Sequence, residues 1–110
     1  MRKITNESRD AQQAMIALAG WRVISQTSVN AAPGTNTAYT VADDRTKRVV
    51  VLHLAAGNTD IRFAFNTAAS SASLPLLPAR YIVVDAGKGN TLNFWNTTAA
   101  AKTVFLVEVA

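Results

Sequence analysis

Cysteine is absent from the 110 residues. Its absence removes disulfide frameworks, thiolate nucleophiles and cysteine-bound zinc together, while leaving the compartment open. Histidine occurs once, at His53, so a transition-metal site has little to build from. No metal or organic cofactor is expected. No apolar run approaches the roughly 18 residues of a membrane span, and no membrane partner is expected. Arg2 and Lys3 would suit a signal peptide, but the polar residues 6–10 stand where its apolar segment belongs, so none is read here. Acidic side chains are outnumbered 7 to 11 by basic ones, for a net charge of +4. The basic residues are scattered, apart from Arg45, Lys47 and Arg48 just after Asp43 and Asp44. That distribution favours solubility and docking on an acidic protein surface over a nucleic-acid groove.

What the chain does have is apolar and β-branched. Hydrophobic residues are 49 % of the sequence, which makes it a globular chain of one domain's length. Ala, Val, Thr and Asn are plentiful, a composition that favours sheets over helix bundles. The clearest organisation is an internal echo between residues 49 and 98. Val49, Val50, Val51 and Leu52 lead to Gly57, Asn58 and Thr59; Tyr81, Ile82, Val83 and Val84 lead to Gly89, Asn90 and Thr91. Each half continues into an aromatic run, with Phe63 and Phe65 in the first and Phe94 and Trp95 in the second. Two copies are too few for a solenoid, and the pattern predicts two similar hairpins facing each other in a sandwich.

Residues 1–20 are the one helical candidate. Thr5 or Asn6 suits the N-cap, Glu7 and Asp10 suit the first turn, and Gly20 suits a left-handed C-terminal stop. Ala11, Met15 and Leu18 form a narrow apolar stripe widened by Ala14, which needs a surface to lie on. Strands are expected over residues 21–28, 37–42, 48–54, 59–65, 80–85, 91–95 and 103–109. The run at 48–54 is apolar enough for a central strand covered on both faces. Leu74, Pro75, Leu76, Leu77 and Pro78 form an extended apolar loop, since two prolines bar a central strand. Its leucines are either buried or form a contact patch. About seven short strands with turns between them predict an all-β, two-sheet antiparallel sandwich, Ig-like or small jelly-roll. The domain division is an N-terminal helical arm, 1–20, and a β-sandwich domain, 21–110.

No catalytic constellation emerges. His53 would have to meet a nucleophile and an orienting group, and none can be named beside it; a partly buried polar residue with a backbone partner is the plainer reading. Asp43 and Asp44 lack the alternating oxygens of a calcium loop. Asp60, Asp85 and Glu108 make a carboxylate pair only if the fold gathers them. The segment Gly87, Lys88, Gly89, Asn90, Thr91 has the wrong order for a phosphate loop and lies between strands, so it is read as a turn. Phe63, Phe65, Tyr81, Phe94 and Trp95 are core by strand period rather than a base-stacking platform. Trp95 is the exception, because its face is otherwise polar, and it suits a subunit interface or, with Asn93, a glycan platform. Asn96, Thr97 and Thr98 match the glycosylation pattern, as do Asn6, Glu7 and Ser8.

The runs from Asp60 to Ser70, Leu77 to Tyr81 and Asn90 to Asn96, together with the opening eight residues, resemble small all-β virion proteins of tailed bacteriophages. The resemblance implies a capsid decoration, or cement, protein on the virion's capsid surface. Its partners would be the major capsid protein and further copies of itself, a homotrimer being favoured. It brings no catalytic residues. Such a protein needs apolar patches that become buried on assembly, and the interface candidates are Met15, Leu18, Trp21, Leu74, Leu76, Leu77 and Trp95. A tail, fibre or head–tail joining component and a carbohydrate-binding sandwich are the alternatives.

Overall fold

The computed structural model describes residues 20–53, 60–76 and 80–110. Eight strands lie among them: β1 (Val23–Ala31), β2 (Asn36–Thr40), β3 (Arg48–His53), β4 (Ile61–Phe65), β5 (Leu74–Leu76), β6 (Arg80–Asp85), β7 (Thr91–Asn96) and β8 (Lys102–Val109). They form two antiparallel sheets of four, in the orders β1-β8-β3-β6 and β2-β7-β4-β5. The helix expected over residues 1–20 lies outside the described residues except for Gly20, which has the positive φ (76°) foreseen for it.

The pairing has a simple rule. β1 pairs with β8, β2 with β7, β3 with β6 and β4 with β5, as in one long hairpin whose tip is β4–β5. Folding that hairpin over itself adds the pairs β3–β8 and β4–β7. Every consecutive connection except β4–β5 therefore passes from one sheet to the other. This corrects the hairpin expectation: β3 and β4 do not pair with each other, nor do β6 and β7. The two halves of the echo instead pair with one another, β3 with β6 in one sheet and β4 with β7 in the other. Both members of each half carry an apolar face, and crossing between sheets lets both faces meet in one interior.

That interior follows from strand alternation. Val49 and Val51 of β3 and Val104 and Leu106 of β8 meet Ile61 and Phe63 of β4 and Leu92 and Phe94 of β7, with Ala31, Val41, Leu76 and Ala86 closing the ends. Phe63 and Phe94 are direct cross-strand partners, with ring centroids 5.6 Å apart. Each large buried side chain is worth about 2 kcal/mol relative to exposure. The expectation for β3 holds, since Val50 on its other face is also covered, within a cluster of Val107 and Val109 against which Trp21 packs. The Arg48 guanidinium lies 5.3 Å from the Trp21 ring centroid.

Two departures from the expected strands have local causes. β5 replaces part of the expected apolar loop, because an edge strand of three residues tolerates Pro75. β1 carries a register shift between Val23 and Ser25. Val23 pairs with Val109 and Ser25 with Glu108, so the two stand on opposite faces where unbroken alternation would put them on one.

Candidate functional site

Polar side chains sealed among apolar ones are the places to look for chemistry. Among the described residues there are three such places: Glu108, His53, and the asparagines of β7.

Glu108 follows Val104 and Leu106 on the inner face of β8 and is 3 % exposed. Thr46, in the β2–β3 connection, donates its hydroxyl to one carboxylate oxygen at 2.6 Å. Tyr39 of β2 donates its phenol to the other. Burial, then the bond to Glu108 and its charge, hold the Tyr39 phenol above its ordinary pKa, so it remains a donor. The knot joins the two sheets, since β8 belongs to one and β2 to the other. Both carboxylate oxygens are engaged, and the group acts as a structural acceptor.

His53 ends β3 with no exposed surface, on the face of Val49 and Val51. Neither ring nitrogen has a hydrogen-bond partner among the described residues. Burial lowers its pKa; the Thr103 backbone and the Asp60 carboxylate favour the charged form, though the Thr103 group falls short of hydrogen-bond geometry, and Lys102 opposes it. His53 is therefore a neutral ring in the interior. Glu108 stands opposite Val49 on β3, four residues from His53, or about 13 Å at strand rise. The three carboxylates considered from the sequence are not gathered. Asp85 sits exposed beside Arg48 at 3.3 Å, and Asp60 lies 4.0 Å from Lys102. No group of three or more metal-capable side chains occurs among the described residues.

On the outer face of the second sheet, Trp95 stands between Asn36 of β2 and Arg62 of β4 and is half-buried. Its neighbour Asn93 is only 4 % exposed. Asn93 accepts from the Asn36 amide at 3.2 Å and donates to the Thr91 hydroxyl at 3.3 Å. Asn36 in turn accepts from the Ala69 backbone at 2.8 Å, which draws the 66–73 connection onto this face. Asn93 is thus occupied within the fold and not presented to a sugar.

Asn96 is wholly buried. It donates to the carbonyls of Ala31 (2.9 Å) and Ala100 (2.8 Å) and accepts from the Thr98 backbone (2.8 Å) and hydroxyl (2.7 Å). With both amide hydrogens engaged, Asn96 organises the β7–β8 connection and is no glycan acceptor, whatever its sequence pattern. Asn6 lies outside the described residues.

The remaining candidates resolve into turns and core. Asp43 takes a two-pronged grip from Arg45 (2.7 and 3.0 Å) and a bond from its backbone (2.9 Å), which hold its pKa down at about 2. That carboxylate is spent on the turn. In the 87–91 turn the Gly87 N–H is taken by Asn90 Oδ1, the Gly89 N–H by Val41 and the Asn90 N–H by Gly87, so these N–H groups are not free for a phosphate. The aromatics separate as well: Phe63 and Phe94 lie in the core, whereas Phe65 at the end of β4 and Tyr81 on the edge strand β6 are exposed, which corrects the core expectation for both, and Trp95 is half-buried on the outer face of the other sheet.

Of the interface candidates, Met15, Leu18 and Leu77 lie outside the described residues. Leu74 is 74 % exposed, whereas Leu76 is 2 % exposed and belongs to the protein's own core. Leu76 is therefore corrected from contact residue to packing residue: strand alternation turns it inward opposite Ile61. Trp21 lies partly against its own sheet. Sequence reasoning missed the Tyr39–Glu108–Thr46 knot and the Asn96 hub. Both were signalled by parity, since Glu108 shares a face with Leu106 and Asn96 with Phe94. No family model, no curated protein and no solved structure matches the chain.

Proposed function

We propose that this chain is a non-enzymatic structural protein of a phage virion, a jelly-roll module that decorates and stabilises a capsid through protein–protein contacts. The observation that carries the reading is the wrapped-hairpin strand order, the arrangement used by viral capsid and lectin domains. The buried polar groups support it, because those with partners bond within the fold rather than converge on a cleft. Exposed apolar side chains such as Leu74 and Tyr81 offer contact points, and repeating weak contacts over a lattice gives high overall avidity. The experiment is co-sedimentation of the purified chain with empty shells of the major capsid protein encoded in the same genome. Saturable binding that slows shell disruption by heat is expected. Binding to tail structures but not shells would move the chain to a tail, fibre or joining role. A specific shift of Trp fluorescence with a sugar, without shell binding, would favour the lectin reading of the same fold.

A further inference from the structure

Each sheet has two edges, and three of the four carry a device that discourages pairing with another chain. β1 has the register shift at Val23 and Ser25 and a largely polar sequence. β5 is three residues long and contains Pro75. β2 is short, and its residues are Asn, Thr, Ala, Tyr and Thr. Lysine, proline, bulges and brevity are the usual protections of an edge.

β6 has none of these. It is six residues long, pairs among the described residues on one side only, with β3, and keeps a regular register from Arg48–Asp85 to His53–Arg80. Three of its consecutive residues are large, apolar and exposed: Tyr81 at 51 %, Ile82 at 36 % and Val83 at 39 %. An unprotected strand of this kind is a template for a further strand.

We infer that β6 is a self-association edge, which pairs antiparallel with β6 of a second copy and joins the two sheets across a two-fold axis. The sequence of the strand identifies the occupant. In a two-fold antiparallel pair a residue stands opposite its own copy, because opposed residues must turn their N–H groups the same way. With Val83 at the axis, Ile82 stands opposite Val84 and Tyr81 opposite Asp85. The centre is then apolar on both faces. At each end a Tyr81 phenol can donate to the Asp85 carboxylate of the second copy. That carboxylate has room for it, since its side chain is 89 % exposed and its contact with Arg48 Nε is a long 3.3 Å. The inference concerns β6 alone and stands whether or not the virion reading does. It replaces the three-fold assembly implied by the resemblance with a two-fold contact.

The test is sedimentation of the purified chain from micromolar to millimolar concentration, with Val83→Lys as the variant. The native chain is expected to reach a dimer. V83K sets two ammonium groups face to face at the axis and weakens association at least about tenfold, with an unchanged thermal midpoint. Because the chain has no cysteine, Val83→Cys gives an independent reading. Under mild oxidation V83C is expected to cross-link to a dimer faster than Ala38→Cys on the edge of the other sheet, even if V83K folds poorly. A native chain that stays monomeric throughout, a dimer or trimer indifferent to V83K, or V83C that cross-links no faster than A38C would each overturn the inference.

Discussion

The bond between Thr46 and Glu108 is the most exacting test of the interior. Thr46 is 3 % exposed and Glu108 is 3 % exposed, and their 2.6 Å contact is charge-assisted. Thr46→Val keeps the shape and removes the hydroxyl. The buried carboxylate then loses one of its two donors where water cannot replace it. A hydrogen bond to a charged group in such a place is worth about 2 kcal/mol. For a chain of this length that lowers the thermal midpoint by about 8 °C. Thr46→Ser, which keeps the hydroxyl, should lose much less. Glu108→Gln supplies the control: if the carboxylate is what the hydroxyl serves, T46V should cost about 1 kcal/mol less in the E108Q background than in the native one. Thermal unfolding followed by circular dichroism at neutral pH reads all four. A T46V variant within about 0.5 kcal/mol of the native protein, or a cost that is the same with and without the Glu108 carboxylate, would refute a stabilising role for this bond.

Three further outcomes are expected. Asn96→Ala deprives two carbonyls and two donors of their partner at once, and should cost about 3 kcal/mol in urea unfolding. Leu76→Ala should cost about 3 kcal/mol while Leu74→Ala, on the same short strand, changes stability by less than about 0.5 kcal/mol; equal costs would contradict the assignment of one to the core and the other to solvent. Burial keeps the folded pKa of His53 below its ordinary 6.5, so as the pH falls the unfolded chain takes up the proton first. The stability His53 contributes is thus complete above that value and is lost as the pH drops below it. The urea midpoint should fall between about pH 7 and about pH 5.5. His53→Leu should flatten this part of the profile, and an unaltered slope would show that the ring is not held neutral by the interior.

Much of the sheet structure was legible because a strand's two faces differ in polarity. Apolar, β-branched and aromatic runs marked β1 to β4 and β6 to β8, and the unbroken apolar run of β3 gave its central place. The echo between residues 49 and 98 was real, but its meaning was not local. Whether β3 turns back on β4 or crosses to the other sheet depends on where both apolar faces can be buried, and no turn residue encodes that. β5 was missed because two prolines mark a loop, while a three-residue edge needs few backbone donors. The polar knots were visible as parity without partners. Glu108 and Asn96 fall on inward faces by alternation, but Tyr39 and Thr46 lie more than 60 residues from Glu108 along the chain and are brought to it only by the wrapped topology. Asn96 looked like a glycan acceptor because the acceptor pattern is also the pattern of a side chain that bonds the backbone two residues on.

The wrapped hairpin, in which β3 lies between β8 and β6 and makes no pair with β4, is what brings the two sheets' apolar faces together. The direct measurement is the set of cross-strand backbone contacts of β3 in solution by NMR. Close approach of Val50 to both Val107 and Val83 is predicted. Contacts of residues 49–53 with residues 61–65 in hairpin register would contradict it, and would remove both the jelly-roll reading and the free β6 edge.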